Sequence, residues 1–163
     1  ANQDHKDAQY TCGQMYAKGE GTSANPGKAL LWYEKAANQG NTEAQFECGK
    51  LYHHGEGIGH DMVKAAVWFE KAAKQGHVKA MYNLAVMYYQ SKGVPAFIAY
   101  IWFEQAANGG HVKSQYKCAE MLYNGDVPKD REKARMWLQR VASQNEDLDL
   151  QRKARANLAH FNS

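Results

Sequence analysis

The sequence predicts an all-α protein, an α/α solenoid of four helix-turn-helix repeats followed by a C-terminal capping helix. Three observations predict it. One segment recurs as AQYTCGQMYAKGEG (8–21), AQFECGKLYHHGEG (44–57), AMYNLAVMYYQSKG (80–93) and SQYKCAEMLYNGDV (114–127). A second segment follows each copy: KALLWYEKAANQG (28–40), KAAVWFEKAAKQG (64–76), IAYIWFEQAANGG (98–110) and KARMWLQRVASQN (133–145). Trp32, Trp68, Trp102 and Trp137 mark the beat, with spacings of 36, 34 and 35 residues, the range of stacked helical repeats.

Each segment reads as a helix. In the second copy, Ala44, Cys48, Gly49, Leu51 and Tyr52 share one face, and Ala65, Trp68, Phe69, Ala72 and Ala73 share another, both at helical spacing. Gly19 with Gly21 and Gly55 with Gly57 supply the positive φ angles that a helix stop and turn need. Asn25, Asp61 and Asp130 read as N-caps of the second helices, with Pro26 in the favoured first turn. Gly40, Gly76 and Gly110 close those helices.

Gly13 and Gly49 lie inside helices, with Ala85 and Ala119 in the same slot. A glycine there costs roughly 1 kcal/mol against alanine, so the slot is expected to allow close approach of the partner helix with its Trp and Phe. The third copy departs from the pattern. Ser91 replaces the first turn glycine, two residues are missing and Pro95 takes the cap slot, so an altered bend is expected near 91–97. The fourth lacks the second glycine. The tail LDLQRKARANLAHF (148–161) matches the first helix of a fifth unit, and Arg152, Lys153 and Arg155 suit an outward-facing cap. Helix pairs of this kind cannot bury their faces alone and must stack. The expected organisation is one domain over 1–163, with repeats at 8–43, 44–79, 80–113 and 114–147 and a capping helix at 148–161.

Composition narrows the function classes. The chain of 163 residues is 44% hydrophobic and 23% charged, a globular composition rather than a disordered one. No apolar run approaches the ~20 residues of a membrane span, so no membrane insertion is expected. The net charge of +3 is scattered along the chain, unlike the clustered basic patch of a nucleic-acid binder. Cys12, Cys48 and Cys118 are an odd number with no C-x-x-C. They read as buried thiols and leave the compartment open. The chain begins at Ala1 rather than Met, which reads as a mature or trimmed form.

These repeats resemble the tetratricopeptide pattern, in which L-G-x-x-Y is followed by A-x-x-x-F. Cys12-Gly13 and Tyr16 with Ala29 and Tyr33, and Cys48-Gly49 and Tyr52 with Ala65 and Phe69, carry the likeness. The longer Gly-x-Gly turn and the W-[YF]-E-K-A-A-x-Q-G ending are more specifically similar to Sel1-like repeats, over residues 8 to about 145. The resemblance implies a right-handed superhelix whose first helices line a concave face. It also implies an adaptor or scaffold for a peptide or protein partner, with no common catalytic site. Family context leans towards a bacterial, exported protein, including immunity and host-interaction factors.

The presumed concave face supplies the candidate residues. Tyr10, Phe46, Tyr82 and Tyr116 occupy one slot in successive first helices and form an aromatic row. Aromatic rings with polar tips suit protein recognition, yet aromatics at this spacing also serve packing between units. The positions that do not repeat, Lys50, His53, His54, Tyr89, Glu120, Tyr123 and Asn124, are the better candidates for specificity. Asp7, Glu43, Lys79 and Lys113 stand at the start of the first helices, so the sign changes along the stack. Lys79 and Lys113, with Asn83 and Asn124, could hold a carboxylate, or the row could be a solvated edge.

Two chemical alternatives arise from short motifs. Cys48, His53 and His54 suggest a metal site, but at 100° per residue the histidines lie about 140° and 240° round the helix from the thiol. That misses zinc-ligand spacing, so Cys48 is expected in the core with both histidines exposed on the other face. No metal or other cofactor is expected. Ser114 and Lys117 make a Ser-x-x-Lys match, the spacing of serine β-lactamases and penicillin-binding enzymes. Neither a Ser-Asp-Asn nor a Lys-Thr-Gly motif accompanies it, and Ser114 fills the slot of Ala8, Ala44 and Ala80. A β-lactam-binding or hydrolytic enzyme is therefore the alternative to a non-catalytic interaction module. His77 and His111 fill one slot after the repeat-ending glycine and read as caps or inter-repeat hydrogen-bonding groups.

Overall fold

The computed structural model describes residues 2–55 and 57–161, with side chains from residue 5 onward. Residues 1, 56, 162 and 163 of the expected 1–163 domain lie outside the described residues. Among the described residues there are nine helices and no strand. The first helices of the repeats are α1 (Asn2–Lys18), α3 (Thr42–His54), α5 (Val78–Gln90) and α7 (Val112–Asn124). The second helices are α2 (Pro26–Asn38), α4 (Met62–Lys74), α6 (Ala96–Asn108) and α8 (Arg131–Ser143), and α9 (Leu148–Phe161) follows. Contacts divide the chain into two compact units, Ala1–Ala80 and Met81–Ser163. In the first, α1 packs on α2, α2 on α3 and α3 on α4. In the second, α6 packs on α7, α7 on α8 and α8 on α9, which also touches α7.

The helix starts follow from their caps. The side chains of Asn25, Asp61 and Asp130 each accept a 2.9 Å hydrogen bond from the backbone N–H of Lys28, Lys64 and Lys133. Such a cap is typically worth about 1 kcal/mol. The Lys64 N–H bond also holds the Asp61 carboxyl below the usual carboxylate range. Pro95 precedes α6 and provides no side-chain cap. First helices have caps of their own. Asn41 Oδ1 accepts from Ala44 N at 2.8 Å, His77 Nδ1 from Ala80 N at 3.1 Å, His111 Nδ1 from Ser114 N at 3.3 Å and Asp147 Oδ1 from Leu150 N at 3.1 Å. The histidine slot is thus a capping slot.

Close approach explains the helix-interior glycines, and of the two expected rings it is one that covers the slot. A Cβ on Gly13 would lie 2.5 Å from the ring of Tyr33, and one on Gly49 would lie 2.6 Å from the ring of Phe69. The ring over the slot is therefore the residue after the tryptophan, not the tryptophan. Helical geometry is the reason: one residue is 100° of rotation, enough to bring the neighbouring side chain onto the slot. Cys48 and Cys118 are buried, and burial raises both thiol pKa values, that of Cys118 to about 12. Cys12 is half-buried, and all three are free thiols.

A row of buried glutamines ties helices together. Gln9, Gln45, Gln115 and Gln151 take the same slot in α1, α3, α7 and α9. The amide nitrogens of Gln45, Gln115 and Gln151 donate to the carbonyls of Ala37, Ala107 and Ala142, at the end of the preceding second helix, over 3.1–3.3 Å. Gln39 donates to Gln9 and Gln75 to Gln45, each at 2.7 Å. In the third repeat both members of this pair change together, to Met81 and Gly109. That is the physically sensible way to lose the pair, because an orphaned buried amide costs about 1–3 kcal/mol. Gln75→Ala alone, which leaves the buried Gln45 Oε1 without its donor, is accordingly expected to lower the melting temperature by roughly 6 °C, read by thermal circular dichroism at 222 nm.

Candidate functional site

The second unit contains an open cleft of about 600 Å³. Tyr82 and Tyr89 of α5 stand two helical turns apart on one side, with Phe103 of α6 at the base. Lys113, Tyr116 and Glu120 of α7, again at helical spacing, form the opposite side. The start of α9 completes it with Asp147, Asp149 and Leu150. A second recess of about 350 Å³ lies beside it, and Tyr116, Glu120, Tyr123 and Asn124 are among its walls. Seven of the expected contact residues, Tyr82, Tyr89, Lys113, Tyr116, Glu120, Tyr123 and Asn124, thus border these two hollows.

Charge in the cleft is mixed and mostly partnered. Lys117 Nζ lies 3.4 Å from Glu120 Oε2 and 4.3 Å from the centre of the Tyr89 ring. The Tyr89 hydroxyl donates to Asp126 at 3.0 Å. Asp149 pairs with Lys153 at 2.7 Å, and Asp147 is used as the cap of α9. The hydroxyl of Tyr116 accepts from Asn157 Nδ2 at 3.2 Å. The Tyr82 ring rests on Phe103 and His111, with centroids 5.9 and 4.4 Å away. Tyr82 therefore anchors the wall as well as lining it. Lys113 is exposed at the rim.

In the first unit the corresponding positions are more occupied by packing. Tyr10 is half-buried against Tyr33, with centroids 5.6 Å apart, and burial raises its hydroxyl pKa. Phe46 is buried between Phe69 and a stacked His77, at 5.8 and 4.3 Å. Lys50 pairs with Glu47 at 2.8 Å. His54 and Lys79 are exposed. His53 differs from expectation. It is half-buried, 6.5 Å from the Phe69 ring, because the last turn of α3 brings it against the ring that overlies Gly49. Burial first, and then His54 and His60, hold its imidazole below the usual histidine pKa.

The sign change at the helix starts has a structural counterpart in this unit. Asn41 Nδ2 donates to Asp7 at 2.9 Å, and His77 Nε2 lies 3.3 Å from Glu43. His77 already accepts the Ala80 N–H at Nδ1, so a neutral ring carries its proton on Nε2 and donates it to Glu43. Each acidic residue thus grips the cap of the next repeat. In the fourth repeat the same two slots hold Lys113 and Asp147, both on the cleft wall.

The Ser-x-x-Lys spacing does not create an exposed nucleophile. Ser114 is 0% exposed, and its hydroxyl lies 2.8 Å from His111 Nδ1. The Lys117 ammonium is directed at Glu120 and Tyr89. Among the described residues, no group of three or more His, Cys, Asp or Glu side chains is placed to hold a metal ion. No helix among them is long and apolar enough to cross a membrane.

The profile of the Sel1 repeat family matches residues 6–41, 42–77, 78–111 and 112–146. The chain belongs to the Sel1 repeat family. Sel1 repeats generally mediate protein–protein interaction, and the fold is typically a non-enzymatic scaffold. Among solved structures, a Sel1 repeat protein from Oxalobacter formigenes is 34% identical at a TM-score of 0.79, covering 86% of this chain and 59% of that one. A protective antigen present in uropathogenic Escherichia coli strains is 28% identical at a TM-score of 0.81, covering 96% of this chain and 33% of that one. The immunity protein Pa5087 from Pseudomonas aeruginosa, 24% identical at a TM-score of 0.58, shares the fold over 86% of this chain and 53% of its own. This Sel1 repeat chain therefore spans 33–59% of the length of these structures. No curated protein matches it.

Proposed function

We propose that this Sel1 repeat protein is a non-catalytic interaction module whose second-unit cleft takes a peptide or a protruding segment of a protein partner. The observation that carries the reading is the cleft wall itself: Tyr82, Tyr89 and Tyr116 beside Lys113 and Glu120. Tyrosines offer large, stiff contact area with a polar tip, the composition of protein-recognition sites. At about 600 Å³ the cleft has room for several side chains. In the first unit, the exposed His54 and Lys79 are the contact candidates, since Tyr10 and Phe46 are engaged in packing.

The likeness to the Escherichia coli protective antigen, at 28% identity, supports a bacterial host-interaction role. The immunity-protein likeness extends to the fold alone. A hydrolytic or β-lactam-binding activity at Ser114 and Lys117 has no comparable support, because a substrate cannot reach a serine that is 0% exposed.

The test is affinity capture with wild type beside Tyr89→Ala/Lys113→Glu. Lys113 is exposed, so its substitution should change stability by about 0.5 kcal/mol at most. Tyr89 also meets Phe103 and Asp126, so the variant is first checked to be folded by circular dichroism. The expected result is a protein retained by the wild type and lost from the variant. Equal retention by both would move the interface away from the cleft. Specific retention by neither would remove the interaction reading.

A further inference from the structure

The second and third repeats share a cluster of three rings that is incomplete in the fourth. In the second, Phe69 of α4 touches Phe46 and His53 of α3, with centroids 5.8 and 6.5 Å apart. In the third, Phe103 of α6 touches Tyr82 and Tyr89 of α5 at 5.9 and 6.4 Å. The fourth repeat keeps the outer two rings as Tyr116 and Tyr123, but the central position is Leu138. The outer rings are present and the middle one is not.

Leu138 itself is only 2% exposed, and a recess lies beside it. Tyr116, Tyr123, Leu138 and Ala119 together wall the recess of about 350 Å³. Ala119 occupies the slot that, as Gly49, lies directly under the Phe69 ring. Phe161 of α9 comes to within 5.2 Å of Tyr123 and bounds the far side. Elsewhere Tyr89 spends its face on Phe103 and His53 on Phe69. Among the described residues, Tyr123 instead has its ring contact with Phe161 of α9. Tyr116, Tyr123, Phe161, Ala119 and Leu138 give an aromatic and apolar part of the wall, and Glu120, Asn124, Asn157 and His160 a polar part, a combination that can orient a ring with a polar neighbour.

We propose that this recess is an aromatic anchor site, in which a partner's phenylalanine or tryptophan side chain sits where the second and third repeats place their own central ring. The occupant is specified by the repeats themselves. Two copies of the same framework show which shape and chemistry fit between the outer rings, and the preference of ring pairs for tilted contacts at 4.5–7 Å supplies the selectivity over aliphatic side chains. The biological use of the site rests on the interaction reading, while its capacity to bind a ring does not.

The test is an NMR titration of the ¹⁵N-labelled chain with N-acetyl-L-phenylalaninamide and N-acetyl-L-tryptophanamide, with N-acetyl-L-leucinamide as the aliphatic comparison. Saturable shifts are expected at Ala119, Tyr123, Leu138 and Phe161, with leucinamide roughly fivefold weaker. Leu138→Phe supplies the missing ring from within and is expected to abolish binding while the chain stays folded by circular dichroism. Should that variant fold poorly, Phe161→Ala, at the end of α9, is expected to weaken the probes severalfold with the fold intact. The proposal is overturned if no saturable shift appears up to probe solubility, if leucinamide binds equally well, or if the folded variants bind as wild type does. A failed titration beside a successful capture would leave the interaction reading standing without this anchor.

Discussion

Phe69→Ala is expected to destabilise the protein by about 4 kcal/mol, since a fully buried phenylalanine loses both its transfer energy and its packing partners. Phe69 is 1% exposed. It touches Phe46 and His53, and covers the backbone of Gly49. These three neighbours belong to α3, so truncation opens a hole along the α3–α4 seam that neither helix can close without shifting its whole axis. A fall of roughly 10 °C in melting temperature should follow, measured by thermal circular dichroism. A fall of only a degree or two would mean that the seam is held by something other than this ring.

Gly49→Leu is expected to cost about 2 kcal/mol net, although leucine is the better helix former. The helix-propensity gain is about 1 kcal/mol. Against it, even a Cβ would stand 2.6 Å from the Phe69 ring, and overpacking a closed core costs typically 1–3 kcal/mol and occasionally more. Two further carbon layers beyond the Cβ place leucine at the upper end. The double variant Gly49→Leu/Phe69→Ala gives the sharper reading, because the added side chain then meets the hole left by the removed one. Its loss should fall short of the sum of the two single losses by at least about 1 kcal/mol. Strict additivity would show that the two positions do not compete for one space, and close approach would no longer explain the glycine.

Much of this was legible in the sequence because it is local or periodic. The helix starts followed from Asn25, Asp61 and Asp130, whose capping oxygens act within three residues. The slot of Gly13 and Gly49 announced a close approach, because a helix-interior glycine needs a reason. The sequence suggested the tryptophan and phenylalanine of the partner helix together, and one residue's rotation decided for Tyr33 and Phe69. Gln9, Gln45 and Gln115 share one slot of the repeated segments and Gln39 and Gln75 another, while Gln151 takes the first slot only once Asp147 is seen to cap α9 as Asn41 caps α3. Pairing them needs contacts 30 residues apart, although the joint change to Met81 and Gly109 was a usable signal.

The amino-acid sequence by itself determined the repeat, its helices, its turns and the family, since each rests on spacing or on groups close along the chain. Only the tertiary structure decided what the aromatic row does at each position. Phe46 and Tyr82 occupy equivalent slots, yet Phe46 is buried between Phe69 and His77 while Tyr82 lines an open cleft. Tyr116 lines both hollows, and Leu138, which stands where a ring stands elsewhere, walls the smaller of them. Whether a ring is covered or open depends on the volumes of side chains from other helices, and a periodic pattern records the slot without recording what fills the space across from it.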